Sequence, residues 1–148
     1  MSHIAAVECE VRDLDVLRAA GERLGFEFME GQRTHRWFGR FLNDWRSDRA
    51  AVAKGYDPAT FGTCDHALRQ KANPSGYEVG VTAQDDGTYR LVYDSFGSGY
   101  GIEALAGPDL MRLRNEVAAE QALRFARQRG YRVQREDGPA QIRLVLRQ

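Results

Sequence analysis

The chain has 148 residues, 43% of them hydrophobic, and its 21 basic side chains are matched by 21 acidic ones. That length suits one domain with one core, and the apolar fraction excludes a disordered chain. Zero net charge excludes a whole-surface field that would attract nucleic acid or an anionic membrane, so any electrostatic attraction is local. No apolar run approaches the roughly 18 residues of a membrane helix. The start, Met-Ser-His-Ile, shows no basic region followed by an apolar one. Two cysteines, Cys9 and Cys64, make neither a disulfide scaffold nor a four-thiolate zinc site. The expectation is a reduced, cytoplasmic protein with no membrane partner.

Ala5, Val7, Cys9 and Val11 alternate with polar neighbours and predict a half-buried strand. Asp13 suits the N-cap of a helix that places Leu14, Leu17, Ala20 and Leu24 on one face, and Gly25 suits its left-handed stop. Phe26, Phe28 and the stretch from Arg33 to Trp37 read as extended chain around Gly31. Tyr77–Thr82 and Tyr89–Tyr93 read as strands joined by the hairpin turn Asp85-Asp86-Gly87-Thr88. Gly107-Pro108-Asp109 opens the longest helix, with Leu110, Leu113, Val117, Ala118, Ala122 and Phe125 on a broad apolar face and Gly130 at its end. Tyr131–Arg135 and Ile142–Leu146 form a closing hairpin. Cys9 reads as core, and His3 and His35 as surface or hydrogen-bonded residues.

The predicted fold class is α+β: a mostly antiparallel sheet with two helices on one face, in a single domain spanning 1–148. Leu24-Gly25-Phe26-Glu27-Phe28 and Arg129-Gly130-Tyr131-Arg132-Val133 run parallel. They fit either a duplicated strand-helix-hairpin unit or chance recurrence of glycine stops. Residues 36–75 interrupt the pattern as an insertion, with a short helix expected near Phe41–Ala53.

The ordered set Met-Ser-His-Ile, Val11-Arg12-Asp13-Leu14, Gly76-Tyr77-Glu78-Val79-Gly80, Asp86-Gly87-Thr88-Tyr89 and Ile142-Arg143-Leu144-Val145-Leu146 resembles the hypothetical chloroplast reading frame thirty-five family. That is a group of small proteins of plastid, cyanobacterial and tailed-phage genomes. The resemblance covers both ends of the chain but not 36–59. Gly62-Thr63-Cys64-Asp65-His66 is closer to the phage relatives. The family implies the small α+β fold and carries over no activity, cofactor or catalytic residue. Its phage members suggest a protein that sequesters or inhibits a host molecule.

The segment from Arg33 to Lys54 carries the strongest functional signal. Arg33, Arg36, Arg40, Arg46, Arg49 and Lys54 face only Asp44 and Asp48, with Trp37, Phe38, Phe41 and Trp45 between them. Guanidinium groups beside flat rings suit an anionic, planar ligand. The same rings serve equally to anchor the insertion to the core. Gly97, Gly99 and Tyr100 lie in Phe96-Gly97-Ser98-Gly99-Tyr100-Gly101, which follows a strand and could bring backbone N–H groups to a phosphate. The spacing is neither a Rossmann nor a Walker pattern, so a plain connection is the simpler reading.

Cys64 and His66, two apart on a strand, are weak metal candidates and suit an inward strand face as well. Asp94, at a strand end, reads as a loop-capping or solvated carboxylate, with Glu78, Asp65 or Glu103 as potential partners. The sequence therefore points to a non-enzymatic protein without catalytic residues or a cofactor, binding a small anionic ligand such as a nucleotide. The alternatives are a protein-interaction module or homo-oligomer acting on a host factor, and direct nucleic-acid binding, which the neutral charge disfavours.

Overall fold

The computed structural model describes residues 4–37, 62–139 and 141–148. Local signals set the first elements. β1 (Ile4–Val11) leads to α1 (Leu14–Leu24). The Asp13 carboxylate accepts from the Asp15 amide at 2.9 Å and closes the first turn. Gly25, at φ 97°, ends the helix in the left-handed conformation that a side chain would disfavour. β2 (Phe26–Met29), β3 (His66–Gln70), β4 (Val79–Ala83) and β5 (Tyr89–Asp94) complete a five-stranded sheet in the order β1-β5-β4-β3-β2. All its neighbouring strands are antiparallel.

Register and the two-residue strand period give the sheet two unlike faces. Phe26, Leu68, Val79, Val81, Leu91 and Tyr93 are buried and form one core with Val16, Leu17 and Ala20 of α1. The core continues into α2 (Ile102–Ala106) and α3 (Met111–Gln128) through Ile102, Ala106, Leu113 and Val117. Glu27 pairs with Arg69, Ala67 with Gly80, and Gly80 with Val92. These residues alternate with the core set and therefore point to the face opposite the helices.

The α+β class and the antiparallel sheet with helices on one face agree with the sequence reading; other details differ. β6 (Arg132–Asp137) and β7 (Ile142–Arg147) form their own two-stranded sheet instead of joining the larger one. Gly130 is left-handed at φ 85°, like Gly25. The two halves thus share helix, glycine and strand, and then part, because β2 enters the main sheet and β6 does not. Part of the stretch read as an insertion is scaffold, since His66–Gln70 is the fourth strand in sheet order. The helix expected near Phe41–Ala53 lies outside the described residues, as do His3 and the Cys9 side chain.

The long helix begins at Met111, because Pro108–Leu110 forms a separate tight turn with Asp109 and Leu110 left-handed. Its inner face is also rotated from the expected one. Ala118, Ala122 and Phe125 are exposed, whereas Glu116 and Glu120 are buried. Arginines on neighbouring elements make this possible. Arg135 of β6 holds both oxygens of Glu116, one of them at 2.8 Å. Arg23 of α1 lies 2.8 Å from Glu120 Oε2, and Arg124 donates to Glu120 Oε1 at 3.0 Å. Hydrophobic patterning cannot see a buried face completed by ion pairs. Among the described residues no helix is long and apolar enough to cross a membrane.

Candidate functional site

Gly80 sits between Val79 and Val81 in a central strand, where a side chain would be expected. Its missing Cβ makes room for the His35 ring, since a Cβ there would lie 2.5 Å from His35 Cδ2. Main-chain bonds hold the segment before and after His35 in place. Its amide donates to the Gly62 carbonyl at 2.9 Å, and Cys64 N donates to the Arg33 carbonyl at 2.8 Å. Arg36 N donates to Glu78 Oε1 at 2.8 Å, while Glu78 N donates to the Arg36 carbonyl at 2.9 Å. The chain from Arg33 to Arg36 is thereby laid across the face opposite the helices.

His35 is only 4% exposed. Burial pushes its pKa below the ordinary 6.5, against a backbone hydrogen bond to Glu78 and the negative charges of Glu78 and Asp94. The ring is neutral at pH 7. Nδ1 has no partner.

Beside this ring lies a polar hollow of about 340 Å³, lined by Gln32, Thr34, His35, Arg36, Arg69, Pro74 and Glu78. Glu78, itself buried, accepts from Gln32 Nε2 at 3.0 Å through the same Oε1 that holds the Arg36 amide. Arg36 Nη1 donates to the Ser75 carbonyl at 2.8 Å, which ties its guanidinium to the loop after β3. Arg69 donates from Nη2 to Glu27 at 2.6 Å, but its buried Nε has no partner. Two of the residues that line the hollow, His35 and Arg69, thus each hold a buried nitrogen, Nδ1 and Nε, without a hydrogen-bond partner in the protein.

Of the residues singled out from sequence, Arg36 lines this hollow. Arg33 does not; it pairs with Asp65 at 2.9 Å and is 77% exposed, while Asp65 also accepts from Ala83 N. Trp37 is half-buried and packs on Gly62, where an added Cβ would collide with its indole. Arg40, Trp45, Arg46 and Arg49 lie outside the described residues.

Gly97, Gly99 and Tyr100 belong to the tight turn Phe96–Gly101, in which the five residues from Gly97 to Gly101 all have positive φ. Left-handed geometry at Ser98 and Tyr100 costs on the order of 1–2 kcal/mol each. Asp94 Oδ1 offsets it by accepting from Phe96 N at 3.0 Å. Gln70 Nε2 also helps, donating to the carbonyls of Tyr77 and Tyr100 at 2.9 and 3.1 Å. The Tyr100 ring lies 4.8 Å from that of Tyr77. This turn is not among the described residues that line the hollow, and most of the arginines expected to converge with it lie outside the described residues.

Cys64 Sγ donates to the Gln32 carbonyl at 3.2 Å, and burial pushes its pKa up to about 11, which keeps it a thiol. His66 Nδ1 accepts from Gly31 N at 2.9 Å. The two side chains serve neighbouring backbone groups instead of a shared ion, and no cluster of three or more metal-ligating side chains occurs among the described residues. Asp94 is fully buried as a loop cap, and Glu103 accepts from the Tyr93 hydroxyl at 2.8 Å.

The sequence reading passed over Arg69, Gln32 and the role of His35. One signal was available: a glycine between two valines in a strand marks a close approach by another group. No family model matches this chain, and no curated protein or solved structure shows significant similarity to it.

Proposed function

We propose that this protein is a non-enzymatic binding protein for a small anionic ligand, seated in the hollow between His35, Arg36 and Arg69. The observation that carries this reading is a polar hollow of about 340 Å³ whose lining includes two arginines, Arg36 and Arg69. Two guanidinium groups make an anion the natural guest, and the volume falls within the range of small-molecule sites. A nucleotide is a suitable first member of that class. The family resemblance adds sequestration of a host molecule as a setting.

Thermal unfolding against a panel of phosphates, carboxylates and nucleotides tests the reading. A ligand at about one hundred times its Kd should stabilise the protein by about 2.7 kcal/mol. The shift should vanish in the Arg36→Ala, Arg69→Gln double variant. No shift with any anion, or an equal shift in the double variant, refutes it.

A protein-contact reading has its own observation. Met111, Phe125 and Leu146 are large apolar side chains left exposed on α3 and the closing hairpin. Light scattering over a concentration series should then show self-association that Phe125→Ser weakens, and a strictly monomeric protein would remove the homo-oligomer version.

A further inference from the structure

We infer that self-association runs through β7, whose open edge pairs antiparallel with the same strand of a second copy, centred on Leu144. This rests on the protein-contact reading. Among the described residues β6 and β7 form a sheet of two strands, so each keeps one edge with no strand beside it. Such edges invite pairing unless charge blunts them. Four of the six residues of β6 are charged: Arg132, Arg135, Glu136 and Asp137. β7 instead reads Ile-Arg-Leu-Val-Leu-Arg, with four apolar residues.

The hairpin fixes which backbone groups are on offer. Gly138 N donates to the Gln141 carbonyl at 2.8 Å, which makes these opposite residues a hydrogen-bonded pair. Alternation along the register then turns the amides and carbonyls of Arg143, Val145 and Arg147 toward β6, and those of Ile142, Leu144 and Leu146 outward. Two β7 strands centred on Leu144 join the outward groups: Leu144 meets Leu144, and Ile142 meets Leu146. Arg143 then stands opposite Val145. Sliding the pairing by two residues either way sets Arg143 against Arg143 or against Arg147, and like charges directly opposite are destabilising.

The side chains agree with this register. Leu144 lies opposite Arg135, which reaches Glu116 of α3, so Ile142, Leu144 and Leu146 share the side of the hairpin that faces α3. Leu146 is left 49% exposed there. Ile142 lines an open hollow of about 420 Å³ with Pro108 and the exposed Met111. The pairing sets Leu146 of one copy beside Ile142 of the other, so an exposed apolar side chain meets an open apolar wall. Two-fold symmetry repeats that contact at the other end of the strand pair.

Light scattering and amide hydrogen exchange on the full chain, over a concentration series, test the contact. The protein should dimerise, and the amides of Ile142, Leu144 and Leu146 should exchange more slowly as concentration rises. Those of Arg143 and Val145, already turned to β6, should change less, and this readout needs no variant. The variants are at Val145, whose side chain points away from α3. Val145→Lys sets like charges opposite Arg143 at two symmetric places and should weaken the dimer about tenfold, whereas Val145→Glu sets opposite charges there and should tighten it by a similar factor. A dimer in which the three outward amides stay unprotected, or in which both variants act alike, overturns the β7 contact and leaves self-association standing. A protein that stays monomeric at every concentration overturns both.

Discussion

Two clusters of buried polar side chains stand on opposite sides of the main sheet. Between α1, α3 and β6, the carboxylates of Glu116 and Glu120 are met by Arg23, Arg124 and Arg135 at ion-pair distance. Burial pushes the Glu120 carboxyl up, but the two arginines beside it outweigh that and hold its pKa below the ordinary value. Across the sheet, His35, Arg36, Arg69 and Glu78 surround a hollow, and His35 Nδ1 and Arg69 Nε, like Glu120 Oε2 of the first cluster, have no hydrogen-bond partner in the protein. Both clusters hold arginine and glutamate. The first is closed on itself and joins three elements; the second is open and incomplete. Composition alone would not separate the two, whereas charge pairing does: both carboxylates of the first carry arginines at ion-pair distance, while the second surrounds an open space.

The sharpest way to break that contrast is to remove one partner from each side. Glu116→Ala strips Arg135 and Arg23 of a shared carboxylate and should destabilise by about 3 kcal/mol, read from urea unfolding. Gly80→Ala should come next, at about 1–3 kcal/mol, because its methyl collides with the His35 ring. It should also abolish stabilisation by anions. Arg69→Met removes only a half-exposed pair with Glu27, so the unliganded protein should lose less than about 1 kcal/mol. Its anion response should nevertheless disappear. If Arg69→Met proves as damaging as Glu116→Ala, the hollow is as structural as the closed cluster.

The smallest effect is a difference in pH window. His35 has a folded pKa below the ordinary 6.5, so it is neutral in both states above that value and contributes nothing there. Below 6.5 the unfolded chain takes up the proton first, and stability falls with decreasing pH. Glu120, also depressed, stabilises fully above its ordinary 4.5 and loses that contribution only as pH falls further. Urea midpoints should therefore begin to fall below about pH 6.5, and His35→Phe should delay the fall until the carboxylates titrate. An unchanged profile in His35→Phe would mean that the ring is not buried as described.

How much was legible varies by element. Asp13 and Gly25 marked the ends of α1 because capping and left-handed stops are decided within a few residues. Asp85-Asp86-Gly87-Thr88 marked its hairpin for the same reason, with Thr88 N donating to Asp86 Oδ1 at 3.0 Å. The inner face of α3 was misread because Glu116 and Glu120 count as polar until their arginines are known, and those come from α1, from β6 and from α3 itself. The hollow was half legible. Arg36 was named, while Arg69 and His35 were passed over because residues 35, 69 and 78 meet only through sheet register.

The amino-acid order by itself determined the α+β class, the antiparallel hairpin and the caps, all of which depend on period and neighbours a few positions apart. Folding alone decided that the last hairpin stands apart, that two glutamates turn inward, and that a histidine and two arginines enclose one space. Those outcomes rest on contacts between distant positions, where a missing Cβ at Gly80 or a partner for Glu116 becomes visible only once the strands and helices are side by side.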